Sequence, residues 1–219
     1  MQKGAIILCG GKSSRMGHDK ATLPFGNELM LERVVRLVSS VVAPSNIAVV
    51  AAANQLLPPL PAEVVVVRDE EQYRGPLQGL AGGLTAIGNR IDAVYATGCD
   101  APLLLPAFIE HMFELLGDCD AVCDAVIPVD DSHLHPLSAA FRPTVLPHIH
   151  ALLATDQLRL SRLFDLIHTR PIAVDELRKV DPQLASLQRM NHYDEYLKAL
   201  SAAGLVAPPQ TGEPHGPTL

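Results

Sequence analysis

The sequence predicts an α/β fold in which a mostly parallel central sheet is covered by helices on both faces. Three observations carry that expectation. Short apolar runs occur without strict alternation, helical stretches separate them, and a glycine-rich turn follows directly on the first run. Strands buried on both faces read as continuous apolar runs, and parallel neighbours need a crossover, usually a helix.

The strand candidates are Ala5–Cys9, Ile47–Ala52, Val64–Arg68, Ala93–Gly98 and Ala121–Pro128. Between the first two, Leu31, Val34, Val35, Val38, Val41 and Val42 recur at helical spacing, with Glu32, Arg33, Arg36 and Ser39 on the opposite face. Glu32 and Arg36 also form an i,i+4 pair of favourable polarity. A second helix is expected over Pro76–Ile87 and a third over Pro106–Leu116, each with proline at its start. Beyond Pro128 the pattern loosens. His133–Phe141 reads as a turn and a strand, and Thr144–Leu153, Leu158–Ile167 and Tyr193–Ala202 read as helical. Residues 1–203 are expected to form one domain. From Gly204 onward prolines and glycines with few apolar residues predict a disordered tail.

With 219 residues, 48% of them hydrophobic, the chain has enough apolar material for a sizeable core, and no tryptophan contributes to it. A net charge of −7 argues against a duplex nucleic-acid partner, which requires a basic face. Cys9, Cys99, Cys119 and Cys123 read as small core residues of a reducing compartment, and no second cysteine pair completes a zinc site. The pairs His133/His135 and His148/His150 lack thiolate partners and read as solvated or hydrogen-bonded histidines. No secretory signal or membrane-spanning run is expected, which places the protein in the cytoplasm.

The segment Leu8 to Lys20 (LCGGKSSRMGHDK) is the most informative. Glycines let backbone N–H groups cup an anion, and Lys12, Arg15 and Lys20 supply positive charge. It is not a Walker loop, because Ile6 stands where the leading glycine is needed, and it lacks the dinucleotide fingerprint. A glycine-rich surface turn with incidental cations is the plainer alternative. Ligands of parallel sheets bind beyond the carboxyl ends of strands, so this loop, Asp69–Gly79 and Cys99–Leu103 are expected to converge. Asp100, ending one strand opposite the loop, suits Mg²⁺, which takes one or two carboxylates plus phosphate oxygens. Its alternative is a cap of the next helix. Asp69 suits a base or ribose, or else a local cap or an ion pair with Arg68 or Arg74.

The loop Gly10-Gly11-x-Ser-x-Arg15-Met-Gly-x-Asp-Lys20 closely resembles the signature of nucleotidyltransferases, above all the molybdenum cofactor guanylyltransferases. The resemblance extends in order through Asp69…Gly75-Pro76-Leu77-Gln78-Gly79, Cys99-Asp100-Ala101-Pro102, His135-Pro136 and Met190-Asn191. It implies a three-layer α/β/α, Rossmann-like nucleotidyltransferase fold. It implies that Leu8, Cys9, Gly10 and Gly11 present backbone to a guanine nucleotide, that Arg15 and Lys20 balance its phosphates, and that Asp69 contacts the nucleoside. Asp100 would hold Mg²⁺, and His135 and Asn191 would line the acceptor side. The reaction implied is GMP transfer from GTP to molybdopterin or its molybdenum form, with pyrophosphate released. Other cofactor-biosynthesis or molybdoenzyme proteins are implied as partners.

Three departures stand out. Ala51-Ala52-Ala53 lies where many relatives carry Asn, Arg189 replaces the first Asn of an Asn-x-Asn motif, and His192-Tyr193 replaces Thr-Pro. Three alternatives therefore stay open: a cytidylyltransferase for the same pterin, an enzyme of sugar or polyol phosphates, and a non-catalytic GTP-binding protein that delivers cofactor.

Overall fold

The computed structural model describes residues 1–10, 19–69, 74–131 and 133–207. Its strands are β1 (Lys3–Leu8), β2 (Pro24–Phe25), β3 (Glu28–Leu29), β4 (Ile47–Ala52), β5 (Val65–Asp69), β6 (Ala93–Gly98), β7 (Ala125–Asp130), β8 (His133–Leu134), β9 (Ala140–Phe141) and β10 (Thr169–Ala173). The helices are α1 (Met30–Ser39), α2 (Gly75–Ile87), α3 (Pro106–Gly117), α4 (Leu146–Ala154), α5 (Val174–Leu177) and α6 (Tyr193–Ala202).

The main sheet runs β10-β7-β9-β6-β1-β4-β5, with β8 paired to β7. β1 is parallel to β4 and β6, β4 to β5, and β7 to β10, while β9 is antiparallel to both β6 and β7. The central strand β1 shows why the sequence folds this way. Ala5, Ile7 and Cys9 enter one core with residues of α1 and α3, and Ile6 enters another with residues of α2 and α4. Side chains alternate across a strand, so a continuous apolar run feeds both layers. The three-layer, mostly parallel arrangement expected from the sequence is the one observed.

Helix α2 lies unusually close to β1. A Cβ on Gly79 would stand 2.9 Å from Leu8 Cδ2, and one on Gly83 would stand 2.7 Å from Ile6. These glycines, one helical turn apart, set the close approach that brings the start of α2 over the mouth of β1. Gly75, at φ 77°, begins that helix in a conformation glycine adopts without strain, with Pro76 next.

Several boundaries differ from the sequence expectation. The strand expected at Ala121–Pro128 is β7, Ala125–Asp130, because residues 121–122 form a turn. The helix expected at Leu158–Ile167 is a 3₁₀ segment, Leu160–Asp165. α4 starts at Leu146, after a 3₁₀ turn at Pro143–Val145. The β2–β3 hairpin, α5 and the edge strand β10 were not anticipated. Leu205 donates its N–H to Leu200 O (2.8 Å) and packs in the cluster of Phe25, Met30 and Tyr196, so ordered packing extends past Gly204. The expected tail beyond residue 207 lies outside the described residues.

Candidate active site

Strand order places the carboxyl ends of β6, β1, β4 and β5 side by side. Leu8 pairs with Gly98 on one flank and Val50 on the other, and Ala52 pairs with Asp69. The ladder continues one residue further, with Cys9 N donating to Val50 O (2.8 Å) and Cys99 N to Leu8 O (3.0 Å). Gly10 therefore emerges at the mouth of β1, exposed, with Ala52 N 3.5 Å from where its Cβ would be. Asp100 follows β6 on one side of that mouth, and Asp69 ends β5 on the other.

On the β6 side three charged groups meet. Lys20 Nζ donates to Asp100 Oδ2 at 2.9 Å and to Asn191 Oδ1 at 3.0 Å. Arg189 Nη1 donates to Asp100 Oδ1 at 3.4 Å. The side chains of Lys20, Asp100 and Arg189 are each only 17–18% exposed. Two cations flank this one carboxylate, although the whole chain carries −7. Partial burial strengthens the pull of such cations on an anion.

The turn that carries Asp100 is braced from two directions. Arg33 of α1 donates to Pro102 O (2.6 Å), and Met190 N donates to Asp100 O (3.0 Å). α3 is preceded by Leu105 as its N-cap, so the Asp100 carboxylate does not cap that helix. A Cβ on Gly98 would lie 2.4 Å from Asp100 Oδ1 and 3.0 Å from Arg189 Nη1. Glycine at 98 is what lets both groups sit against the end of β6.

Lys20 is presented by a small scaffold that the sequence reading passed over. The Asp19 carboxylate accepts from Ala21 N (2.9 Å) and from Gln55 Nε2 (2.9 Å), while Gln55 also bonds to Ala52 N and Cys9 O (3.2 Å each). The end of the glycine-rich segment is thereby tied to the exit of β4. An Asp followed by Lys in the motif hinted at this capping role, but the partner Gln55 had no local signal. Asn191 is placed in turn by Glu195 of α6, which accepts from the N–H groups of Asn191 (2.6 Å) and His192 (2.9 Å). A glutamate three residues after a helix's N-cap is a readable capping pattern.

Of the residues singled out from sequence, Lys20, Asp100 and Asn191 are in direct contact, and Leu8, Cys9 and Gly10 form the adjoining mouth. Asp69 stands two strands away from Leu8 across that mouth. His135 does not touch the Lys20–Asp100 pair. Its Nε2 lies 3.1 Å from Asp130 Oδ2, and the residues just after it, Leu137 and Ser138, bond Arg189. Gly11, Lys12 and Arg15 lie outside the described residues.

Cys9 and Cys99 fill the floor of the mouth and are 7% and 3% exposed. The hydrogen bond to Cys99 and then burial hold the Cys9 thiol well above its usual pKa, so it is neutral and not a nucleophile. Burial and then Cys119 push Cys123 up to about 11 in the same sense. A folded-state pKa above the unfolded value favours folding at low pH, and that contribution is lost as pH rises from the unfolded pKa toward the folded one. Chemical unfolding is thus expected to show stability falling above the ordinary thiol value of 9.0. Cys9→Ala should flatten the slope by up to one proton, or about 1.4 kcal/mol per pH unit. Identical slopes for both proteins between pH 9 and 10.5 would show that Cys9 is not held neutral.

Among the described residues, no group of three or more His, Cys, Asp or Glu could hold a metal by itself, and no helix is long and apolar enough to cross a membrane. Asp100 is a partly exposed carboxylate whose Oδ2 is held by the Lys20 ammonium and Oδ1 by Arg189, a single-carboxylate donor of the type Mg²⁺ uses together with phosphate oxygens and water.

Comparison with known proteins bears on what this arrangement does. The family model of the MobA-like NTP transferase domain matches residues 5–171. A probable molybdenum cofactor guanylyltransferase of Mycobacterium tuberculosis H37Rv is 34% identical over 210 residues, covering 94% of this chain and 93% of the relative. One of Mycobacterium avium strain 104 is 36% identical over 182 residues, covering 81% and 88%. The solved structure of molybdopterin-guanine dinucleotide biosynthesis protein A from Archaeoglobus fulgidus superposes with a TM-score of 0.74 at 20% identity, covering 92% of this chain and 98% of that one. The 4-diphosphocytidyl-2C-methyl-D-erythritol synthase of Anaerococcus prevotii shares the fold at a TM-score of 0.66 and 15% identity, over 92% and 96%.

Proposed function

Since the chain belongs to the MobA-like NTP transferase family and is a nucleotidyltransferase, we propose that it transfers GMP from GTP to the terminal phosphate of molybdopterin or its molybdenum form. The observation that carries this reading is the Lys20–Asp100 pair, on the β6 side of the mouth of β1. The names of the relatives supply the guanine and the pterin, and the chemistry of the cluster supplies the reaction class.

In this reading the acceptor's phosphate oxygen forms a bond to the α-phosphorus of GTP as the bond to pyrophosphate breaks. A phosphate nucleophile is ionised near neutral pH, so no general base is needed. The work of the protein is to hold two mutually repelling anions in line and to stabilise charge on the departing oxygens. Lys20 exchanges its contact with Asp100 for a phosphate oxygen. The N–H groups around Gly10 face the nucleotide, and Asp69, across the mouth, receives the nucleoside. Asp100 is the residue that would hold Mg²⁺, which when bound neutralises phosphate charge. By the resemblance of the glycine-rich motif, Gly11 and Arg15 would serve the phosphates, while Asn191 and the turn after His135 would line the acceptor side.

The test is to incubate the protein with Mg²⁺, molybdopterin and each of GTP, CTP, ATP and UTP, and to measure pyrophosphate. GTP is expected to be preferred by at least tenfold. A preference for CTP would reassign the base and keep the reaction. Pyrophosphate release only with a sugar or polyol phosphate would reassign the acceptor. GTP binding without pyrophosphate release with any acceptor would support cofactor delivery instead.

A further inference from the structure

Arg189 is the residue whose surroundings are least accounted for by nucleotide binding alone. Its guanidinium bridges two pieces of chain far apart in sequence. Nη1 donates to Thr97 Oγ1 (3.3 Å), near the end of β6, and to Asp100 Oδ1 (3.4 Å). Nη2 donates to Leu137 O and to Ser138 Oγ (3.1 Å), in the turn that follows His135-Pro136. The two terminal nitrogens thus make four contacts with protein acceptors, while Nε–H makes none among the described residues.

The engagement of both terminal nitrogens decides between two roles. An arginine beside a phosphate site is ordinarily read as a phosphate ligand, through its bidentate fork. Here both terminal nitrogens are engaged, and turning them to a phosphate would strip a hydrogen bond from Ser138 Oγ, in a residue 1% exposed, whereas Thr97 Oγ1 would keep its bond to Gly98 O. Leaving buried polar groups unpaired is costly. Lys20 is placed differently. It is a point charge on a flexible stem, it sits on a 3₁₀ turn off the sheet, and its acceptors are Asp100 Oδ2 and Asn191 Oδ1. When a ligand arrives, Lys20 is the cation free to move, and Arg189 is the one that stays.

We propose that Arg189 is a positioning residue: it clamps one carboxylate oxygen of Asp100 and ties it to the Leu137–Ser138 turn on the acceptor side. Only Oδ2 is thereby left to exchange between Lys20 and an incoming ligand. The orientation of the carboxylate is coupled to the acceptor-side turn through one rigid guanidinium. Gly98 is part of the device, since any Cβ there would intrude on both Asp100 Oδ1 and Arg189 Nη1. The inference deepens the nucleotidyl-transfer reading and rests on it for its kinetic consequence.

The clamp itself is testable without turnover. In a ¹⁵N-arginine-labelled sample at low temperature, a guanidinium held at both terminal nitrogens shows separate Nη–H signals, assigned to Arg189 by their loss in Arg189→Lys. Such signals are expected in the wild type and should average in Ser138→Ala. Averaged Arg189 signals in the wild type would overturn the clamp whatever the protein's activity.

The kinetic role is tested with Arg189→Gln and Arg189→Lys. Both should lower kcat for GTP-dependent pyrophosphate release at least tenfold, with KM for GTP within threefold of wild type, and lysine should not rescue. Ser138→Ala should lower kcat in the wild-type background and have no further effect in Arg189→Gln. Full rescue by lysine, or a rise in KM at constant kcat, would make Arg189 an ordinary charge and overturn positioning. If the wild type shows fixed Arg189 signals but no pyrophosphate release, the clamp stands and the nucleotidyl-transfer reading fails.

Discussion

Replacing Asp100 by asparagine is expected to lower the proposed GMP transfer by about 10²- to 10³-fold while the protein stays folded, measured as pyrophosphate release at saturating GTP. The substitution preserves size but removes the one negative charge between two cations, Lys20 and Arg189. It also turns an amide N–H₂ toward one of them, so a donor faces a donor. Backbone placement should survive, because the turn is held through Asp100 O and Pro102 O by Met190 N and Arg33, neither of which depends on the carboxylate. Asp100→Glu should do little better, since the longer side chain cannot keep Oδ1 against Arg189 beside Gly98. Activity within threefold of wild type in Asp100→Asn would remove Asp100 from the reaction.

Much of this arrangement was legible before any coordinates. The apolar runs at β1, β4 and β6 are buried on both faces, so their composition alone marks them as central strands. The rule that ligands sit beyond carboxyl ends then brings Gly10, Asp69 and Asp100 to one edge. What escaped notice escaped for physical reasons. β10 is an edge strand with three exposed residues and a proline at 171, so it has no apolar run to show, and edges tolerate proline. β2 and β3 are two residues each, too short for any periodicity. Arg189 read only as a departure from an Asn-x-Asn pattern, because its contacts with Asp100 and Ser138 span 89 and 51 residues. Gln55 was invisible likewise, being an ordinary polar loop residue until its amide meets Asp19 and Cys9.

Lys20→Ala is expected to lower transfer more than tenfold and, unlike the Arg189 variants, to raise KM for GTP as well. The difference follows from geometry. Both terminal nitrogens of Arg189 are engaged by acceptors on the β6 end and the Leu137–Ser138 turn, whereas Lys20 has only the side-chain oxygens Asp100 Oδ2 and Asn191 Oδ1 as described partners. A cation that gives up a carboxylate for a phosphate contributes to nucleotide binding and to stabilising charge in the transition state, so its loss appears in both constants. Stability should change by only about 1 kcal/mol, because Asp100 keeps Arg189 and Asp19 still caps the turn through Ala21 N. Lys20→Arg should recover part of the KM effect, since the charge returns. It should recover little of kcat, because a planar fork does not reach the same oxygen from the same stem. If Lys20→Ala leaves GTP binding by calorimetry and pyrophosphate release both near wild type, Lys20 serves only as the partner of Asp100, and the positive charge for the phosphates must come from elsewhere in the glycine-rich segment.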